Sequence, residues 1–209
     1  MAQRGRLITI EGIDGAGKTT LAAALAQALR DRGIDLLALR EPGGVPLAER
    51  IRALVVDPAH QVDARAEALL YAAARAQLVA DLLEPALAAG RWVLLDRFTD
   101  SSLAYQGAGR ELGIEPIADL NRFATRGLAP DRTLLLALDP ADGRARRAAL
   151  EDDRIEREGD AFFTRVDVAY RALAAADPRR VRVLDATRSA DELLADAIAE
   201  LADLPGWGP

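Results

Sequence analysis

The segment Gly12-Ile13-Asp14-Gly15-Ala16-Gly17-Lys18-Thr19 constrains what this chain can fold into more than any other. It has the spacing G-x-x-x-x-G-K-[ST], follows the apolar run Leu7, Ile8, Ile10, and leads into residues of helical composition. A strand that turns through glycines into a helix aims backbone N–H groups and the positive end of the helix dipole at one point. That arrangement cradles phosphate. All eight residues, Gly12 to Thr19, are expected to hold ATP. Lys18 can reach the β- and γ-phosphates, and the Thr19 hydroxyl can hold Mg²⁺. Composition sharpens the reading. Lys and Arg total 27, and the only lysine is Lys18. Arginine occupies every other basic position, which marks Lys18 as a place where a compact ammonium is needed. A GTP-binding switch would need a second lysine in its guanine-reading N/T-K-x-D motif. A small-molecule or nucleotide kinase is the economical class.

Apolar runs over 6–11, 35–39, 92–95, 133–138 and 181–184 read as strands. Helical patterns over 19–31, 46–56, 63–89, 99–106, 115–125, 161–176 and 190–201 alternate with them, with a kink expected near Pro85 and a loop over 107–109. Continuous apolar strands alternating with helices define an α/β fold with a parallel sheet covered on both faces. The expectation is a five-stranded P-loop kinase fold in one domain, 1–209, with a short charged lid inserted at about 142–159. The 209 residues carry a net charge of −6 and no cysteine. Generic binding to nucleic acid or anionic membranes is therefore not expected. Disulfides and thiolate chemistry are excluded. The apolar run at the N-terminus is too short for a signal peptide, so a cytoplasmic protein is expected. His60 receives no role.

Three clusters fall where a doubly wound sheet binds ligands, beyond the carboxyl ends of strands. One is Arg40-Glu41-Pro42-Gly43-Gly44, with Arg52 further on. Another is Asp96-Arg97-Phe98. The third is a helix face carrying Tyr71 and Arg75, four residues apart. Ser102 and Gln106 share that spacing on another helix, with Tyr105 beside them.

At these residues the sequence resembles the bacterial thymidylate kinases. EGIDGAGKTT, REPGG, YAAARAQL, DRFTDSSLAYQGAGR and DRIERE occur in the family's order and approximate spacing, through almost the whole chain. DRF followed by SSLAYQG is the most specific signal. The resemblance implies transfer of the γ-phosphoryl group of MgATP to dTMP. It implies that Arg97 binds the acceptor 5′-phosphate, that Asp96 organises the reacting phosphates and Mg²⁺, and that Asp14 lies near the acceptor sugar and phosphate. It further implies that Arg75 hydrogen-bonds the thymine edge and Tyr71 stacks on the ring. Ser102 and Gln106 would complete base recognition, and Tyr105 would crowd the ribose 2′ position. Arg40 and Arg52 would line the acceptor side. The phosphate loop carries no arginine, so the arginine that neutralises the moving phosphoryl group is expected from the lid. Arg154 and Arg157 are expected at the phosphates, with Arg144 or Arg146 nearer the adenine. The family also implies a homodimer, with alanine-rich stretches over 64–80 and 119–125 as a close-packing face. Another nucleotide or deoxynucleoside kinase, or a non-catalytic nucleotide-binding module, are the alternatives.

Overall fold

The computed structural model describes residues 4–147 and 153–207. Five strands form one all-parallel sheet in the order β2-β3-β1-β4-β5. They are β1 (Leu7–Glu11), β2 (Leu36–Arg40), β3 (Trp92–Asp96), β4 (Arg132–Ala137) and β5 (Val181–Asp185). The central strand, β1, is buried at every position. Alternate residues of β3 enter different cores. Trp92 and Leu94 join Leu21, Leu25 and Leu29 of α1 (Lys18–Asp31). Val93 and Leu95 join Ala48 and Ile51 of α2 (Pro46–Val56) and Leu78 of α3 (Ala64–Leu78). Both faces are thus covered, as continuous apolar strands require.

Two helices depart from the expected pattern. The long helix, expected to kink near Pro85, is interrupted there. It widens just before it, through a π-helical turn at Val79–Leu83, and resumes as α4 (Glu84–Ala88). Proline lacks an N–H and its ring crowds the carbonyl four residues back, so the turn ahead of it opens. The second departure concerns 107–109, expected as a loop. α5 (Thr99–Ser102) continues as a π-helical segment at Leu103–Gly109. A Cβ on Gly109 would lie 2.6 Å from the Phe162 ring. Its glycine serves close packing on α8 (Asp160–Ala176) rather than a turn.

The remaining helices are α6 (Ile114–Thr125), α7 (Pro140–Arg147) and α9 (Ala190–Ala199). Ser189 and Glu192 cap α9 with a reciprocal capping box, and Asp63 caps α3. By contrast, no side chain caps α1, which begins directly after Gly17. Its first N–H groups are left for another partner. α7 opens the charged insertion. The expected lid also includes 148–152, which lie outside the described residues. No helix among the described residues is long and apolar enough to cross a membrane.

Candidate active site

Strand register assembles the phosphate end. Ile10 pairs with Asp96, and the Arg97 N–H donates to the Ile10 carbonyl at 2.9 Å. The loop after β1 therefore lies beside the turn after β3. Thr19 Oγ1 donates to an Asp96 oxygen at 2.7 Å. Lys18 folds back over its own loop, and its Nζ donates to the Ile13 carbonyl at 2.8 Å. Gly143 of α7 presses on this loop. A Cβ on it would lie 2.6 Å from the Asp14 carbonyl oxygen. The start of the lid thus rests directly on the phosphate cradle.

Asp14 is the centre of charge. Arg97 Nη2 donates to one of its oxygens, and the Tyr105 hydroxyl donates to the other at 2.9 Å. Lys18 Nζ stands 3.6 Å away. Burial by itself would raise the Asp14 pKa. The Arg97 and Lys18 charges outweigh it and hold the carboxyl well below the usual carboxylate range, with help from Arg147. Burial pushes Lys18 down to about 8, and Arg97 adds to the fall, while Asp14, Asp96 and Glu11 oppose it. Arg97 adopts φ 72° without being a glycine. Such a backbone conformation is strained and is held here by its partners. Its Nη1 donates to the Gly12 carbonyl and to Ser101 Oγ.

The turn that carries Arg97 is organised by Glu11, a residue that sequence reasoning passed over as the end of a strand. Its carboxylate is fully buried. It accepts from the Phe98 and Ser101 N–H groups, from Ser101 Oγ, and from the Tyr170 hydroxyl. Burial and the nearby Asp100 raise its pKa, against the pull of these donors.

Beside Asp14 and Arg97 lies a cavity of about 70 Å³. It is lined by Asp14, Arg52, Tyr71, Arg75, Arg97, Ser102, Tyr105 and Gln106, which sequence reasoning assigned to the acceptor. Glu41, Pro42, Val56, Ser101, Asp153 and Ile155 complete the lining. Arg75 is almost fully buried and its donors are occupied. Nε and Nη2 reach Glu41, Nη1 reaches Ser102 and Asn121, and Nη2 also reaches the Phe98 carbonyl. A base edge would have to share these donors. Tyr71 has no hydrogen-bond partner for its hydroxyl among the described residues, and burial pushes its pKa up to about 12. Gln106 donates from Nε2 to Glu67 at 2.8 Å. Glu41 was legible only as a member of the cluster Arg40 to Gly44, and Glu67 and Asn121 were not legible as site residues, because a carboxylate or amide on a helix carries no spacing signal.

Other expected residues lie elsewhere. Arg40 is exposed and pairs with Glu49 at the rim. Arg154, expected at the phosphates, reaches α2 and α3. It donates to the Val55 carbonyl at 2.8 Å and to Glu67 at 2.6 Å. Arg157 is exposed, and its side chain makes no hydrogen bond or ion pair among the described residues. Arg144 pairs with Asp160. Arg146 donates to the Ala186 carbonyl and lines a cavity of about 230 Å³ with Ala16, Gly17, Thr20, Leu21 and Arg188, at the open end of α1.

A phosphate cradle on a parallel sheet, a second cavity facing it across one carboxylate–guanidinium pair, and a charged insertion that meets the cradle through α7 and the cavity through Asp153 and Ile155 define a P-loop kinase of small acceptors. The family model for thymidylate kinase matches residues 10–197. The thymidylate kinase of Halorhodospira halophila is 50% identical over 208 residues, covering 98% of this chain and 97% of that protein. That of Bordetella petrii is 49% identical, covering 98% of each. The crystal structure of thymidylate kinase from Ehrlichia chaffeensis superposes with a TM-score of 0.79 at 29% identity, over 95% of this chain and 98% of that one. The chain belongs to the thymidylate kinase family.

Proposed function

We propose that this enzyme transfers the γ-phosphoryl group of ATP to dTMP, giving dTDP and ADP. The observation that carries the reading is the Asp14–Arg97 pair, which joins the phosphate loop to the acceptor cavity. The donor sits on the loop Gly12 to Thr19, with its adenine toward Ala16, Leu21 and Arg146. The acceptor sits against Tyr71, Arg75, Ser102 and Gln106 with its phosphate on Arg97. A dTMP phosphate oxygen then attacks the γ-phosphorus, and the bond to the bridging oxygen of ADP breaks. The nucleophile is already an anion, so no strong base is required. The residues position two polyanions in line and neutralise their charge.

The pair Thr19 Oγ1 and Asp96 supplies hard oxygen donors in contact with each other, a set that suits Mg²⁺ carried by phosphates. The metal would screen the phosphate charge there. Lys18 holds the β- and γ-phosphates. Arg147, whose charge acts on Asp14 and which pairs with Glu156, is the lid arginine we assign to the phosphates. Arg154 docks the lid on the acceptor side.

The kinase is one domain and works in the cytoplasm. It pairs as a homodimer through α2, α3 and α6, which pack side by side and expose Leu47, Leu54, Leu69 and Phe123. A coupled ADP-release assay over nucleoside monophosphates tests the activity. dTMP is expected to be the best acceptor. dUMP should follow with a deficit of roughly 1–3 kcal/mol for the missing methyl, and dCMP should be poorer still. Equal rates with dCMP and dTMP would remove the assignment.

A further inference from the structure

Glu67 is fully buried on α3, one helical turn before Tyr71 and two before Arg75. It gathers donors from two other segments. Oε1 accepts from Gln106 Nε2 at 2.8 Å and from Arg110 Nε at 3.2 Å. Oε2 accepts from Arg110 Nη2 at 3.0 Å and from Arg154 Nη2 at 2.6 Å. The first of these contacts has a chemical consequence. An amide presents a donor at one end and an acceptor at the other, and the two ends are alike in shape. Either orientation can fit a neutral pocket. A carboxylate accepts only, so a Gln106 oxygen turned toward Glu67 would meet another oxygen. The carboxylate therefore fixes the amide, with Nε2 on Glu67. The Gln106 side chain lines the acceptor cavity, and its oxygen forms no hydrogen bond among the described residues.

We propose that Glu67 is a positioning residue for base choice: by locking the Gln106 amide, it presents a fixed acceptor to the cavity. This rests on the reading of that cavity as the dTMP site. A pyrimidine of the thymine type has a donor at N3. One of the cytosine type has an acceptor there. A fixed oxygen pairs with the first and opposes the second. Without the carboxylate the amide can turn over, and the opposition to cytosine disappears. Arg110 and Arg154 neutralise Glu67 so that it can stay buried as an anion.

The test is a double-mutant cycle with Glu67→Gln and Gln106→Leu, read as the ratio of kcat/KM for dTMP to that for dCMP. Glu67→Gln keeps the shape and removes the acceptor-only character. It is expected to lower the ratio at least tenfold, chiefly by gaining activity on dCMP. Gln106→Leu is expected to lower the ratio by a similar factor, and Glu67→Gln added to it should change the ratio less than twofold. A purely structural Glu67 would slow both acceptors together and leave the ratio in place, which would overturn the proposal. So would additive losses in the cycle. Should Glu67→Gln fail to fold, Gln106→Leu still decides, because an unchanged ratio there removes the oxygen from base choice. Wild-type enzyme inactive on dTMP would sink the substrate reading itself. An active wild type with unchanged ratios would sink only the role of Glu67.

Discussion

Lys18 carries its charge in a nearly sealed place, 6% exposed, before any phosphate arrives. Its pKa of about 8 means that the folded enzyme releases this proton in a range where the unfolded chain, at 10.5, still holds it. Between those values the unfolded state binds more protons, so stability rises with pH. Below about pH 8 the buried charge weighs against folding. Function needs the charged form. kcat/KM for ATP should therefore fall as pH rises through about 8, whereas the limb in kcat should lie higher because bound phosphate favours the ammonium. Lys18→Met should abolish phosphoryl transfer while leaving Tm at pH 7 unchanged or higher. Lys18→Arg should also fail, because a planar guanidinium does not fit a loop closed around a compact charge. A Lys18→Arg enzyme with near-full activity would contradict this account.

At the scale of elements, the lid touches the two halves of the site through different residues. α7 rests on the phosphate loop at Gly143, and Arg147 from its end acts on Asp14. The segment after the lid tip is tied to the acceptor side, with Arg154 bound to α2 and to Glu67 on α3. Its N–H also donates to the Val56 carbonyl at 3.1 Å. Asp153 and Ile155 help line the cavity of about 70 Å³ beside Asp14 and Arg97. The two arginines should consequently separate in kinetics. Arg147→Ala should lower kcat at least tenfold, about 1.4 kcal/mol of barrier, with KM for dTMP within about threefold of wild type. Arg154→Ala should act mainly on KM for dTMP. Steady-state kinetics with each substrate varied in turn measures both, and the reverse pattern would return the phosphate role to Arg154.

For the whole molecule, the layer of α2, α3 and α6 carries large exposed apolar side chains. Phe123 is 86% exposed on α6, and Leu69, Leu54 and Leu47 stand out from α3 and α2. Large apolar side chains gathered on one layer of helices suit an interface. α3 also carries Glu67, Tyr71 and Arg75 on its inward side, so pairing through its outer side would stiffen the acceptor wall. Sedimentation equilibrium should give twice the 22.4 kDa chain mass at micromolar concentration. Phe123→Glu should shift the protein toward monomer and raise KM for dTMP. A wild-type particle of one chain mass would rule the homodimer out.

Much of the architecture was legible because local rules carry it. The strand–glycine–helix at Gly12 to Thr19, the five apolar runs and the charged insertion all follow from period, turn chemistry and charge. The cavity residues Tyr71, Arg75, Ser102 and Gln106 were reached through motif resemblance, and the fold brings them to one cavity. What the chain did not disclose depends on contacts between distant segments. Gly107 and Gly109 looked like a loop because a glycine that packs against the start of α6 or against α8 is spelled the same as one that turns. Arg154 was expected at the phosphates through the DRIERE motif, while the buried carboxylate it binds, 87 positions away, was not visible. Glu11 read as a strand end, and Glu67 carried no signal on its helix. Periodicity and spacing specify which face a residue takes. Only the packed structure decides which donors meet a buried carboxylate, because that pairing has no sequence interval of its own.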